Sequence, residues 1–236
     1  MQSKSTMFKH VYSDSPWLIP RDCDELIELF RLKGKPITLS SRRSLHFGER
    51  RYAYLIEKGL VATYAGSIGK FERLIAIFQP GTVFGAEKSL KGEFATKPLI
   101  AKTLLPVKAL MLDSTAFKSE MAANPELAFK VMKSFLAHDD AKIEGLLMND
   151  LLTVPQRVAL MVDAIFKGSG HPLSEMKMCL PLSVSVTELS RLIHCDRSML
   201  SRTLRNMADD GLLEIQGGNY FFDKGVLRIL ETVKLA

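Results

Sequence analysis

Between residues 35 and 112 the chain alternates short apolar runs with glycine-marked turns. The runs at 36–39, 52–56, 60–64, 74–78, 99–104 and 107–112 have the length and period of strands. Gly59, Gly66, Gly69, Gly81 and Gly85 fall between them or at their ends, where a change of direction favours a residue without Cβ. Short strands at this spacing predict an antiparallel barrel or jelly roll and not a βαβ sheet. A small helix is predicted ahead of them over 22–32, with Leu26, Ile27, Leu29 and Phe30 at helical spacing.

After the strands the period becomes helical. Asp113 and Ser114 can cap a helix near 115–122, and Asn124-Pro125 opens a longer one with Asn at the N-cap and Pro at N1. That helix can run from 125 to about 148, roughly 36 Å, long enough to join two domains. Leu127, Ala128, Val131, Met132, Phe135 and Leu136 give its first half a wide apolar face, suited to covering the β-domain and a partner helix together. In the second half Ile143, Leu146 and Leu147 continue the seam, but residues 138–142 and Gly145 interrupt it. A regular coiled coil is therefore not expected, and a dimer would bend or splay there. Thr153-Val154-Pro155-Gln156 is a capping-box pattern that starts a further helix carrying Val158, Ala159, Met161, Val162, Ile165 and Phe166. Residues 149–153 are the expected hinge.

Residues 185–222 hold the most informative pattern. Ser185-Val186-Thr187-Glu188 is a second capping box, and Leu189, Leu192 and Ile193 mark the buried side of a helix just over two turns long. After His194-Cys195-Asp196, with Asp196 as cap, another helix is predicted over Arg197–Asp209, closed by Gly211. Met199, Leu200, Thr203, Leu204 and Met207 are assigned to its inward face; Arg197, Ser198, Ser201, Arg202 and Arg205 line the other. Two helices, a three-residue turn and an arginine-bearing outer face form the helix-turn-helix pattern. An α-helix fits the major groove, where Arg can donate two hydrogen bonds to guanine and Ser can reach bases or phosphate. Runs at 212–215 and 220–222 then bracket Gln216-Gly217-Gly218-Asn219, a glycine turn between two strands that reads as a wing. An ordinary three-helix domain with arginines on a solvated face would not account for that wing.

Composition narrows the class. At 47% hydrophobic and 25% charged, 236 residues can bury a real core, which excludes collagen-like, mucin-like and unfolded chains and favours two domains. No apolar run reaches the length of a bilayer span, and MQSKSTMFKH lacks a signal-peptide core, so a soluble cytoplasmic protein without membrane contact is expected. Cys23, Cys179 and Cys195 are widely spaced, and the five histidines (His10, His46, His138, His171 and His194) do not pair at metal-binding intervals. Reduced thiols and no structural metal follow. The net charge of +6 suggests nucleic acid, but residues 1–150 hold 22 Lys+Arg against 17 Asp+Glu, while 151–236 hold 10 against 9. Clustering matters more: Arg191, Arg197, Arg202 and Arg205 are opposed only by Asp196. Arg42, Arg43, Arg50 and Arg51 form a second basic stretch, which reads as a solvated loop and strand edge. Ser-His-Asp, Walker A and Rossmann glycine patterns are absent.

Residues 184–210, with Glu188, Cys195, Arg197, Arg202 and Leu204 at matching places, resemble the helix-turn-helix of the Crp/Fnr family of bacterial transcription regulators. Tyr54-Leu55-Ile56-Glu57-Lys58-Gly59 and Phe78-Gln79-Pro80-Gly81-Thr82-Val83-Phe84-Gly85 resemble the family's β-roll turns, so the likeness spans nearly the whole chain. It implies an α+β fold: an N-terminal antiparallel β-roll (jelly-roll, cyclic-nucleotide-binding-like) sensor domain at 1–123, a long dimerisation helix and hinge at 124–152, and a C-terminal winged helix-turn-helix domain at 153–236. It also implies a homodimer on a roughly palindromic site in double-stranded DNA, no enzymatic activity, and RNA polymerase as a candidate further partner. Arg197 and Arg202 are expected to read guanines or phosphate, Ser198 and Ser201 to make shorter contacts, and Arg205 and Arg191 to hold the backbone. Thr187, Gln216 and Asn219 complete the DNA-binding set.

Departures from the family concern ligand and specificity. Cyclic-AMP receptors hold ribose with a glutamate and the cyclic phosphate with an Arg-Ser pair. Here Glu87 is displaced by one residue, Ala95-Thr96 stand at the Arg-Ser positions, and Lys97 or Lys102 would be a poor substitute for the planar guanidinium. On the dimer helix, Lys142-Ile143 replace the hydroxyl pair that would face adenine. No cyclic-AMP response and no cofactor are expected, and the effector is left open. Three cysteines disfavour an iron-sulfur cluster, and Ser198 stands where the family often has a cytosine-reading glutamate. One alternative keeps the architecture and gates it by another small ligand, by haem through His46 or Cys23, or by a redox signal. Another class, a cupin-like metal enzyme, lacks the His cluster it needs.

Overall fold

The computed structural model describes residues 12–45, 52–66, 72–91, 99–171, 173 and 177–232. In chain order the elements are α1 (Asp24–Lys33), β1 (Lys35–Leu39), β2 (Ser44–Leu45), β3 (Tyr52–Lys58), β4 (Val61–Gly66), β5 (Glu72–Phe78), β6 (Val83–Phe84) and α2 (Ala86–Lys91). They continue with β7 (Leu99–Thr103), β8 (Val107–Asp113), α3 (Ser114–Ala123), α4 (Pro125–Leu151), α5 (Val154–Gly168), β9 (Met178–Cys179), α6 (Val186–Ile193), α7 (Arg197–Asp209), β10 (Leu213–Gln216) and β11 (Asn219–Phe222). A 3-10 helix, Lys224–Thr232, follows.

The first eight strands form two four-stranded antiparallel sheets, ordered β1-β8-β3-β6 and β2-β7-β4-β5. Their shared core is Ile56, Val61, Ala76, Phe78, Phe84, Ala101, Val107 and Ala109, with the Tyr54 and Phe84 rings stacked at 4.8 Å. Leu26 and Phe30 of α1, Phe117 and Met121 of α3, and Leu127 and Val131 of α4 form a second cluster with Leu55, Leu110 and Leu112. Gly59 turns β3 into β4 at φ +90, and a Cβ there would lie 2.1 Å from the Pro106 carbonyl oxygen, so no other residue fits.

The 27-residue α4 is the longest element, about 40 Å, and it is unbroken through the residues that interrupt its apolar seam. Four of those residues, His138, Ala141, Lys142 and Gly145, are docking points. His138 is buried, its Nε2 3.3 Å from Oδ1 of the equally buried Asp22, whose Oδ2 accepts from the Val83 N–H at 2.7 Å. Gly145 lies against the fully buried Trp17 ring: a Cβ there would come within 2.3 Å of Trp17 Cδ1. Trp17 adopts φ +62, its N–H donating to the Ala141 carbonyl at 3.0 Å and its carbonyl accepting from the Ile77 N–H at 2.7 Å. His138, Ala141 and Gly145 thus face the rest of the chain, and the helix is continuous through them.

Residues 149–151, expected in the hinge, are helical; only Leu152 and Thr153 separate α4 from α5, and Leu152 is buried. One apolar cluster runs from Trp17, Leu18, Leu60 and Ile77 through Met148 and Leu152 to Val158, Ile165, Phe166, Leu192, Leu204 and Phe222.

Candidate nucleic-acid interface

The helix-turn-helix starts from a local signal that acts as expected, the capping box of α6. At the start of α6, the Glu188 N–H donates to Ser185 Oγ at 3.2 Å, while the Ser185 N–H donates to Glu188 Oε2 at 2.8 Å. The Ser185 N–H above all, and the Ser185 hydroxyl donating to Oε2 at 2.9 Å, hold the Glu188 carboxyl below the ordinary carboxylate value against the opposing effect of burial; Arg42 and Arg191 add to the lowering. The helix ends at His194, in the left-handed region at φ 54. Arg157 of α5 caps it from outside, its guanidinium donating to the Ile193 and His194 carbonyls at 3.1 and 2.8 Å. Nothing in the pattern singled out Arg157, because its partners lie more than thirty residues away.

Leu200, Thr203, Leu204 and Met207 of α7 are buried, at the i, i+3, i+4, i+7 spacing of one stripe. Met199, expected on that face, is instead exposed at 42%: it precedes Leu200 by one residue, which turns it about 100° off the stripe. Asp196 stands at the N-cap but makes no side-chain bond to the helix amides. Gly211, at φ +73, closes the helix as expected. Arg197, Ser198, Ser201, Arg202 and Arg205 are all solvent-exposed, as are Thr187 and Arg191 on α6.

The wing is tighter than the sequence suggested. Gln216 pairs with Asn219 in the ladder, so the turn is Gly217-Gly218 alone, with φ +55 and +80. Both Gln216 and Asn219 remain exposed beside the turn. β9 adds a third strand through Cys179 and Met178, and Lys177 braces β10 through Glu214.

In the β-roll half, Glu87 of α2 is bound within the protein. Lys142 of α4 donates to Glu87 Oε1 at 2.6 Å and to Asp139 Oδ1 at 2.9 Å. Burial disfavours the Lys142 ammonium, but the two carboxylates more than offset it, so its pKa stands above that of an ordinary lysine. Lys102 lies over the Tyr64 ring, 5.3 Å from its centroid, in a cleft beside α6. Ala95, Thr96, Lys97, His46, Arg50 and Arg51 lie outside the described residues. Cys23 is half-buried, its N–H directed at Ser134 Oγ, and burial pushes the Cys195 thiol up. Arg42 is exposed, as expected of a solvated loop, but its guanidinium also crosses to the other half, donating to the Ser183 carbonyl and lying 3.9 Å from Glu188. Among the described residues no helix is long and apolar enough to cross a membrane, and no group of three or more His, Cys, Asp and Glu is placed to hold a metal ion.

No protein-family model and no curated protein matches the sequence. Solved structures do. The c-di-GMP-responsive global regulator CLP of Xanthomonas campestris superposes with a TM-score of 0.67 at 18% identity, covering 85% of this chain and 99% of that one. FixK2 from Bradyrhizobium japonicum gives 0.66 at 17%, covering 86% and 98%. A CRP/FNR-family transcriptional regulator from Thermus thermophilus gives 0.66 at 17%, covering 84% and 99%. The chain therefore has the fold of the Crp/Fnr regulators, with β-roll, long helix and winged helix-turn-helix in that order.

Proposed function

We propose that this protein is a sequence-specific DNA-binding transcription regulator acting as a homodimer, with Arg197–Asp209 in the major groove. The observation that carries this reading is an exposed ridge of arginine and serine on α7, on a helix pair fixed from behind by Arg157 and flanked by a Gly-Gly wing. Its fold is that of solved proteins described as a global regulator and a transcriptional regulator. Arg197 and Arg202 read guanines or phosphate, and Ser198 and Ser201 make short contacts. Arg191, Arg205 and Thr187 hold the DNA backbone, while Gln216 and Asn219 reach it from the wing. The chain divides into a sensor at 1–123, a dimer helix and hinge at 124–152, and a DNA-reading unit at 153–236.

Phe129, Met132, Leu136 and Ile143 stay exposed along one side of α4, at spacings of three, four and seven residues. An apolar face at that repeat fits a second copy of the helix, densest over its first half, because Asp139 occupies the next seam position. The β-roll gives no cyclic-AMP response: Lys142 fills the neighbourhood of Glu87 with a lysine ammonium already paired to it. RNA polymerase is a further partner on the same reading.

The experiment is a titration of duplexes, selected from a random pool, by fluorescence anisotropy. Arg202→Ala should cost about 1–3 kcal/mol and relax one operator position, whereas Arg191→Ala should weaken all sequences alike. Equal and sequence-independent losses from both would refute the division of roles.

A further inference from the structure

A cleft of about 310 Å3 separates the β-roll from the helix-turn-helix half. Arg42, Tyr64 and Lys102 line its β-roll wall, and Ser183, Glu188 and Arg191 the facing one. Arg42, Lys102 and Arg191 thus share the lining with one carboxylate, Glu188, which lies 3.9 Å from Arg42. Glu188 is already committed to its helix cap, with the Ser185 N–H and hydroxyl donating to it at 2.8 and 2.9 Å.

Arg42 is held there against its backbone preference. Its φ is +60, a left-handed conformation that costs a residue with a Cβ. The Arg42 N–H donates to the Thr103 carbonyl at 2.8 Å, the Arg43 N–H to Thr103 Oγ1 at 2.9 Å, and the Thr103 N–H to the Arg43 carbonyl at 3.0 Å. Those three bonds fix the turn that sends the Arg42 guanidinium across the cleft to Ser183. A guanidinium carries five donors, and this contact uses one edge.

We propose that the cleft binds a small phosphorylated metabolite, its phosphoryl group held between Arg42 and Arg191 with Lys102 as the third cation. Planar guanidinium forks from two sides suit a phosphoryl group with three free oxygens. The volume exceeds that of a bare phosphate and falls at the lower end of small-molecule sites, and Leu104 and Leu192 give the organic part an apolar surface. This site is separate from the Glu87 and Lys142 pair. Because its walls belong to different halves, an occupant stabilises this arrangement, with the logarithm of its free concentration once that exceeds Kd. It also engages Arg191, so ligand and duplex compete, a consequence that rests on the DNA-binding reading above.

Calorimetry on the full chain without DNA tests the site independently of that reading. The probes are pyrophosphate, glucose 6-phosphate and AMP at constant ionic strength. One organic phosphate should bind once per chain, more tightly than pyrophosphate, and Arg42→Ala and Lys102→Gln should each weaken it about tenfold or more. Circular dichroism confirms that each variant is folded. No binding by any probe at millimolar concentration, binding that both variants leave unchanged, or pyrophosphate binding as tightly as the organic phosphates would overturn the proposal. In a second arm, the bound phosphate should weaken operator binding by the wild type and not by Arg42→Ala; equal effects on both would remove the competition.

Discussion

Replacing Gly145 by alanine separates two physical effects of opposite sign. In a solvated helix the change gains about 1 kcal/mol, because glycine is the poorer helix former. At residue 145 the new Cβ would lie 2.3 Å from Trp17 Cδ1 and 2.7 Å from Cγ and Nε1, against an ordinary carbon contact of about 3.5–4.0 Å. Either α4 or the indole must shift by roughly 1 Å or more to restore that contact distance. The indole cannot swing out, since it is fully buried and its backbone is tied to Ala141 and Ile77. Overpacking of this kind costs about 1–3 kcal/mol, more where neither side can move. With both partners held, we expect the steric effect to exceed the propensity gain, leaving Gly145→Ala less stable by about 1–2 kcal/mol and its Tm lower by roughly 2–8 °C. Trp17 is the sole tryptophan, so its emission during urea unfolding reports on the contact itself and should shift in the folded variant. Gly168→Ala is the milder control, because its nearest neighbours are the ends of Leu18 and Leu60, at 2.9 and 3.1 Å. A Gly145→Ala protein more stable than the wild type by about 1 kcal/mol, with unchanged emission, would refute the docking of α4 on Trp17.

Other perturbations probe the remaining parts. Leu136→Glu places a charge in the exposed seam of α4 and should turn a sedimenting dimer into a monomer without loss of helix content; a persistent dimer would place the interface elsewhere. Ser185→Ala removes the α6 cap and should cost about 0.5–2 kcal/mol in urea unfolding. Because the folded Glu188 carboxyl is held below its ordinary value of 4.5, its contribution is present above that pH and lost as pH falls through the lower folded value. Alanine keeps the residue-185 N–H that lowers Glu188 most, so only the part of the Ser185→Ala penalty owed to the lost hydroxyl-to-carboxylate bond should shrink in acid, with the penalty constant near neutrality, which unfolding at several pH values would test. Cyclic AMP should show no saturable micromolar binding by calorimetry, and a clear isotherm would contradict the assignment of Lys142.

The strands and long helices were legible because each carries its own period over five residues or more, and both capping boxes lie within four residues. β2, β6 and β9 have two residues each, too few for any period, and were missed. The seam breaks at His138 and Gly145 were visible, but their cause was not: Asp22 and Trp17 lie over a hundred residues upstream, so docking looked like a flaw in a coiled coil. Arg42 and Arg157 were hidden for the same reason, since each acts on carbonyls that only tertiary folding brings near. On α7 the outer residues were found because a 13-residue helix with a buried stripe leaves little choice; Met199, one residue before Leu200, turns off that stripe, and Asp196 holds the cap position without a side-chain bond.

The most direct measurement is the affinity of the purified chain for mixed-sequence and selected duplexes across a range of salt. The ridge on α7 predicts binding in dilute salt, with log K falling against log salt by about 0.9 for each phosphate neutralised, and a smaller slope for Arg191→Ala. A protein that is folded yet leaves both duplexes unbound in dilute salt would contradict it.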